Sequence, residues 1–315
     1  VFCKNIQIRA NKMTRPKIGL ALGSGVGRGW AHIGVLKGLT KAGIESDVIA
    51  GTSIGALVAG VHLAGRMDAL EHWACSLNRM RIMRNLDLSM QSGGILGGKR
   101  LERLLTDNLG DLAIEHLPKP FITVATELVT GHEIWLRQGP LIDALRASYA
   151  LPGIFPPVEL EGRQLVDGAL VNPVPVSVCR AMGARLVIAV NLNADMLGSE
   201  RAQMAKMAQS GNGNSNGNGL PSLPGNFGAG VLDNLFRRDG APSMFNVMAS
   251  ALNILQDRLG RSRLAGDPPD VTIAPQVGHI GLLDFDCAEE LIKLGEEAVE
   301  RSLPVLEEAL TVLPP

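Results

Sequence analysis

A serine between two glycines is the most chemically informative feature of this sequence. Ser53 lies in Gly51-Thr-Ser-Ile-Gly55, and the spacing G-x-S-x-G is typical of a serine nucleophile at a strand-to-helix turn. Glycines are needed there because a tight turn brings the strand against the next helix, where a Cβ would clash. The helix N-terminus also favours negative charge on the serine oxygen. The same pattern fits a plain glycine-rich turn, so other residues must decide.

A second glycine-rich segment, residues 23–29, follows a short apolar run. A dinucleotide-binding loop would need a third glycine where Arg28 or Trp30 stands, and no acidic residue ends the next strand. Backbone N–H groups at a helix start also stabilise an oxyanion. The oxyanion candidates are Gly25, Val26 and Gly27. Arg28 is a candidate for holding this loop or an anionic group, or is a surface charge.

A serine nucleophile needs a base, and two residues compete for that role. Asp167 precedes Gly168 and ends an apolar segment, so we expect it at the carboxyl edge of the sheet with Ser53. A serine–acid–histidine order would require a later histidine, and His279 is the one that follows Asp167. His32, inside the first helix, is predicted to be a packed residue. Asp167 is the better candidate, and the His279 triad stays an alternative.

The elements that position these residues follow from hydrophobic patterning. Residues 17–22 and 47–50 predict buried strands, and each is followed by a helical pattern, the first of which ends near Gly43. Two successive βα units favour a largely parallel sheet covered by helices. We predict a loop at residues 151–158 and, at residues 287–311, helices interrupted near Pro304. Further strands are predicted at residues 121–126, 132–136, 163–168, 185–190 and 270–274, and further helices from residues 140, 174 and 244.

Composition limits the class of protein. The chain has 315 residues, of which 46% are hydrophobic and 19% charged, which is typical of a globular protein. A net charge of −1 gives no reason to expect nucleic-acid binding. The four cysteines are scattered without metal-ligand spacing, so we expect no metal, and lone cysteines suit a reducing compartment and thus a cytoplasmic protein. We also expect no cofactor, because a serine nucleophile with a carboxylate base needs none. No signal peptide or apolar run long enough to span a membrane is apparent.

The domain organisation is predicted to be simple. Residues 1–15 are expected to form a tail, and residues 16–315 a single domain. Residues 198–242 contain a run of glycine and asparagine that cannot bury enough apolar surface to fold, so we predict a disordered insertion, with a mobile lid as the alternative. In residues 79–84, arginine alternates with methionine and isoleucine. That stretch fits either contact with an anionic membrane surface or a solvated helix with core methionines.

Several of these motifs together resemble the patatin-like phospholipase family. The motifs are Gly25-Val-Gly-Arg-Gly29, Gly51-Thr-Ser-Ile-Gly55 and Asp167-Gly-Ala169, with Ala147-Ser-Tyr-Ala-Leu-Pro-Gly-Ile-Phe-Pro-Pro-Val158 and Asn172-Pro173 in support. Residues 252–258 and 267–270 are similar to bacterial members akin to the neuropathy target esterase group. The resemblance covers residues 17–195 and 243–310, in order.

The resemblance implies an α/β fold of three layers, in which a mainly parallel central sheet has helices on both faces. It implies a serine acyl hydrolase that cleaves fatty-acyl esters such as phospholipids or lysophospholipids, with peripheral contact to the inner face of the membrane. Ser53 would be the nucleophile, Asp167 its partner without a histidine, and residues 25–28 the oxyanion and substrate-binding loop. Ser24 and Val26 depart from the family's run of glycines. A regulatory or scaffold protein that keeps the fold with little hydrolysis is therefore the alternative from another class.

Overall fold

The computed structural model describes residues 15–77, 98–194 and 244–312. Within them the chain forms a sheet of eight strands, because short runs rich in buried aliphatic residues alternate with turns. In chain order the strands are β1 (Ile18–Leu22), β2 (Val48–Thr52), β3 (Phe121–Glu127), β4 (Glu133–Leu136), β5 (Val158–Leu160), β6 (Arg163–Asp167), β7 (Leu186–Val190) and β8 (Val271–Ile273).

The sheet has a parallel part and an antiparallel part. Strands β3, β2, β1, β7 and β8 are neighbours in that order and pair in parallel. Strands β4 and β6 both pair antiparallel with β3, and β5 pairs antiparallel with β6. The mainly parallel sheet that the resemblance implies is thus confirmed.

Two strands meet end to end on one edge of β3. Strand β2 pairs with residues 121–124 of β3 and β6 with residues 125–127, running in opposite directions. Strand β4 pairs with residues 123–126, so it must lie on the other edge. The last residue of β2, Thr52, is opposite Val124, and the last residue of β6, Asp167, is opposite Ala125. The carboxyl ends of β2 and β6 therefore converge.

Helices cover both faces of the sheet. Alternate residues of β1 point to opposite sides, so that Leu20 packs with one core and Ala21 with the other. The first core includes residues of α1, α2, α3, α4, α5 and α8, and the second includes α6. The helices are α1 (Ala31–Lys41), α2 (Ile54–Leu63), α3 (Met67–Ser76), α4 (Gly98–Leu109), α5 (Leu141–Tyr149), α6 (Val176–Ala181), α7 (Met244–Gly266) and α8 (Ala288–Val312). The three-layer α/β prediction is confirmed.

One local prediction is wrong. Helix α8 continues through Pro304, because Val299 before it and Leu306 after it remain buried, so packing outweighs the lost backbone hydrogen bond. The loop predicted at residues 151–158 is present up to residue 157, and β5, which begins at Val158 and was not predicted, forms a hairpin with β6. Its two-residue turn has positive φ at both Glu161 and Gly162, the backbone twist that a tight hairpin requires.

Other predictions lie wholly or largely outside the described residues. These are the tail before Arg15, the arginines of residues 79–84 and the insertion at residues 198–242. The single domain at residues 16–315 stays a prediction.

Candidate active site

Ser53 occupies a strained turn between β2 and α2. Its backbone has φ 58° and ψ −127°, a conformation that few residues other than glycine adopt. A Cβ at Gly51 would run into the backbone of Ala56, and one at Gly55 would strike the carbonyl oxygen of Leu22. The two flanking glycines thus let the turn close, and the predicted G-x-S-x-G turn is present.

The hydroxyl of Ser53 is hydrogen-bonded to a buried carboxyl group. Ser53 Oγ donates to Asp167 Oδ2 at 2.6 Å, and the N–H of Ala169 donates to Asp167 Oδ1 at 2.8 Å. Asp167 is fully buried, and burial raises the pKa of its carboxyl group to about 7, although these two hydrogen bonds act to lower it. Such a carboxylate can accept a proton near neutral pH.

The meeting of β2 and β6 explains this contact. The sequence prediction placed both residues at one carboxyl edge, as in a parallel sheet, and the residues do meet. The reason differs, because β6 runs opposite to β2 and reaches Ser53 from the other direction along β3.

Hydroxyl groups on neighbouring elements fix the two backbones. Ser148 Oγ, on α5, accepts from the N–H of Ser53 at 2.9 Å and donates to the carbonyl oxygen of Val124 at 2.6 Å. Thr126 Oγ1 donates to the carbonyl oxygen of Asp167 at 2.8 Å. Sequence reasoning assigned no role to Ser148 or Thr126. Ser148 does lie within the segment 147–158 that carries the family resemblance, and this was the available signal.

The glycine-rich loop leaves two N–H groups unengaged. Gly27 donates its N–H to the carbonyl oxygen of Leu282 at 2.8 Å. For the N–H groups of Gly25 and Val26, no acceptor is found in the part of the chain that the structure describes. Val26 has a positive φ of 51°, so the loop turns sharply between these groups. The loop can therefore offer two adjacent donors to an anion.

Arg28 is buried, and its side chain is hydrogen-bonded to the backbone of the same chain. Its Nε donates to the carbonyl oxygen of Ile280 at 2.6 Å, and 4% of the residue is exposed. Together with the Gly27–Leu282 hydrogen bond, this contact ties the glycine-rich loop to residues 280–282. Of the three roles considered for Arg28, the structure supports holding the loop and contradicts a surface charge, and binding of an anionic group stays a prediction.

Neither of the two histidines considered contacts the Ser53 hydroxyl. His32 Nε2 lies 2.7 Å from the carbonyl oxygen of Gly23, so this nitrogen carries the proton that it donates. Burial lowers the pKa of His32 to about 4, which keeps it neutral and confirms the packed role. His279 is half exposed and pairs with Glu290 at 2.9 Å. The structure thus gives His279 a partner other than the serine.

The described residues offer no group of three or more His, Cys, Asp or Glu side chains arranged to hold a metal ion. Among the helices in those same ranges, none has the length and apolar character to cross a bilayer.

The fold is thus α/β, and it holds a buried serine–carboxylate pair beside a glycine-rich loop. The family model described as patatin-like phospholipase matches residues 20–180, which include both members of the pair. The chain is 34% identical to an uncharacterized NTE family protein of Mycobacterium tuberculosis, over 95% of each protein. This chain belongs to the patatin-like phospholipase family.

More distant similarities were also found. The chain is 32% identical to the neuropathy target esterase sws of Drosophila melanogaster, over 58% of this chain and 13% of that protein. Among solved structures, VipD from Legionella pneumophila matches 92% of this chain and 67% of its own, at 13% identity and a TM-score of 0.47. The family assignment supports a lipid hydrolase as the class of protein.

Proposed function

We propose that the protein is a serine acyl hydrolase in which Ser53 is the nucleophile and Asp167 the general base. The observation that carries this proposal is the 2.6 Å hydrogen bond from Ser53 Oγ to Asp167 Oδ2. Ser53 Oγ forms a bond to the ester carbonyl carbon while its proton moves to Asp167. The carbonyl bond then re-forms, the bond to the alcohol breaks, and Asp167 returns the proton to the leaving alcohol. Water then attacks the acyl carbon while Asp167 takes its proton, and Asp167 returns that proton to Ser53 Oγ as the bond from Oγ to the acyl carbon breaks and the acid leaves.

The proposed oxyanion hole consists of two donors. The sequence analysis put forward Gly25, Val26 and Gly27, but the N–H of Gly27 is already bonded to Leu282. We therefore assign the oxyanion to the N–H groups of Gly25 and Val26, supported by the start of α2. Valine at position 26 does not interfere with this role, because the donor is its backbone.

The substrate class proposed is a fatty-acyl ester such as a phospholipid or lysophospholipid. The support is the family membership and the esterase and phospholipase names among the relatives. A cytoplasmic location stays a prediction. Contact with the inner face of an anionic membrane through Arg79, Arg81 and Arg84 is likewise a proposal, which vesicle co-sedimentation with charge-reversal variants would test.

A fluorophosphonate probe tests the function directly. We expect covalent labelling of the purified protein at Ser53, loss of labelling in Ser53→Ala, and hydrolysis of medium-chain esters by the wild type alone. Asp167→Ala should also be inactive while remaining folded by circular dichroism. No labelling together with no ester turnover would refute the proposal and favour the regulatory or scaffold alternative. Full activity in Asp167→Ala would refute the role of the carboxylate.

A further inference from the structure

Exposed apolar side chains are concentrated near the active site. Among the described residues, seven large apolar side chains are exposed, and four of them form two groups at the carboxyl edge of the parallel strands. Leu128 and Val129 lie at the tip of the hairpin between β3 and β4, and Ile254 and Leu255 are adjacent on α7. We call these four residues the apolar rim. Val129 protrudes furthest, since 84% of it is exposed.

The β3–β4 hairpin projects past the nucleophile. Thr52, the residue before the nucleophile, is opposite Val124, and β3 continues from there to Glu127. At about 3.3 Å per residue, β3 ends about 10 Å beyond Thr52. The N–H of Gly131 donates to the carbonyl oxygen of Glu127 at 2.8 Å, which closes the turn. The apolar tip of the hairpin therefore extends from the sheet on one side of the active site.

Helix α7 brings the second apolar group to the same edge. Gln256 Oε1 lies 3.4 Å from the Oγ of Ser24, in the glycine-rich loop that follows β1. The helix then runs toward the opposite edge, because Asp270, beyond its end, donates its N–H to the carbonyl oxygen of Val187 near the start of β7. The two exposed apolar residues of α7 directly precede Gln256. Since β2 lies between β3 and β1, the active site lies between the two groups of the apolar rim.

A lipid bilayer fits the apolar rim better than another protein does. A protruding turn offers little area to a protein partner, whereas a standard interface buries about 800 Å² on each side. The family assignment supports a lipid hydrolase, so the substrate itself is an apolar molecule. Ser53 is only 5% exposed and Asp167 is buried, so the ester must enter from this edge to reach them. Trp135, exposed on β4, has the amphipathic ring that is enriched at membrane interfaces.

The charges next to the apolar rim are of both signs. Arg258 is exposed and follows the apolar pair of α7 by three and four residues, so it lies on the same face of the helix and can contact headgroup phosphates. Arg163 and Glu161 are exposed in the β5–β6 hairpin, which reaches the tip where the N–H of Leu128 donates to the carbonyl oxygen of Gln164. We therefore expect apolar insertion, rather than charge, to provide most of the binding free energy.

We propose that the apolar rim inserts into the surface of a phospholipid bilayer and holds the active site over its substrate. The inference rests on the proposed hydrolase function and adds the surface through which the protein reaches lipid. It differs from contact through the arginines of residues 79–84, which would need an anionic membrane. Uncharged phosphatidylcholine vesicles should be sufficient for binding by the apolar rim.

The test measures the partition of the full chain onto phosphatidylcholine vesicles by co-sedimentation. Every protein carries Ser53→Ala, so that the lipid stays intact. Val129→Glu and Leu255→Glu should each lower the partition coefficient about tenfold, because an inserted apolar side chain is replaced by a charged one. Both positions are exposed, so the fold should be retained, as checked by circular dichroism.

Val312→Glu is the matched control. Val312 is 70% exposed, and it lies beyond Val299 on α8, which packs on Gly38 near the end of α1. Because α1 runs away from the carboxyl edge, the end of α8 is remote from the apolar rim, and the partition coefficient should not change. Val129→Trp gives a second readout, since brominated phosphatidylcholine should quench the added tryptophan, whereas Val312→Trp should not be quenched.

Activity measurements with Ser53 intact separate failure of the docking surface from failure of the hydrolase proposal. Val129→Glu should retain hydrolysis of a dissolved short-chain ester but lose about tenfold of its rate on lysophospholipid carried in vesicles. Unchanged vesicle partition in both rim variants, or no vesicle binding by the unsubstituted rim, would overturn the docking surface even if the enzyme is active. Loss of a dimer in Val129→Glu by light scattering, without vesicle binding by the parent protein, would instead identify a contact between copies of this chain and overturn the proposal. If the wild type hydrolyses no ester, the proposed function fails, and vesicle partition alone then decides whether the apolar rim binds lipid.

Discussion

Ester hydrolysis should fall steeply below pH 7, because the proposed base must be ionised to accept the proton of Ser53. Burial raises the pKa of Asp167 from 3.8 to about 7. At pH 5 about 1% of such a group is ionised, compared with more than about 90% of an aspartate with the ordinary value. We therefore expect kcat/KM to rise by about a hundredfold between pH 5 and pH 8.

The assay is hydrolysis of a short-chain ester from pH 4.5 to pH 9, with the rising limb of kcat/KM fitted to one pKa. His279→Gln should show the same limb, which separates the carboxylate from a histidine base. A limb centred near pH 4, or one that disappears in His279→Gln, would refute the reasoning.

The burial of Asp167 also predicts how the free energy of unfolding changes with pH. The folded pKa of Asp167 lies above the unfolded value, so its contribution is fully present below pH 3.8 and lost as the pH rises through about 7. The folded and unfolded pKa values differ by about three, so the free energy of unfolding falls by on the order of 4 kcal/mol over this range. Asp167→Asn does not ionise, so its free energy of unfolding relative to wild type should increase by that order between pH 4 and pH 8. Urea unfolding at both pH values measures this, and an equal difference at the two would contradict a buried, protonated carboxyl group.

Three further substitutions test the surroundings of the site. Ser148→Ala leaves the buried N–H of Ser53 without its acceptor, which should cost about 1–3 kcal/mol in urea unfolding and lower kcat; unchanged stability would contradict this role. Gly55→Ala places a Cβ against the carbonyl oxygen of Leu22 and should destabilise the protein by about 1–3 kcal/mol in urea unfolding. Wild-type stability in this variant would show that the turn has room for a side chain. His279→Gln should retain kcat/KM within about twofold, since the side chain is half exposed and pairs with a surface glutamate, and a large loss would restore the triad.

The sequence was most informative where local spacing determines local geometry. The glycines around Ser53 and the strand before it predict the turn, because only a residue without a Cβ fits at positions 51 and 55. The apolar run before Asp167 predicts a strand, because short apolar runs are typical of buried strands. These short-range patterns put both residues forward as candidates, and the resemblance to the family then favoured them as a pair.

The features that the sequence did not predict depend on contacts between residues far apart in the chain. The role of Ser148 arises from the packing of α5 on β3, which no local pattern specifies. The N–H of Gly27 is occupied by Leu282, a residue far along the chain. The direction of β6 follows from its pairing with β3, not from its own residues. Tertiary packing likewise allows α8 to continue through Pro304, where the sequence predicted an interruption.

The end-to-end meeting of β2 and β6 has a consequence for how activity is acquired. Ser53 and Asp167 are 114 positions apart, and neither strand reaches the other except by pairing along β3. Both pairings are non-local, and such contacts are slow to form because the loops between them must first close. During refolding, ester hydrolysis should therefore appear together with protection of the β3 amides from hydrogen exchange and never before it. Recovery of activity is thus a reporter for completion of the central sheet.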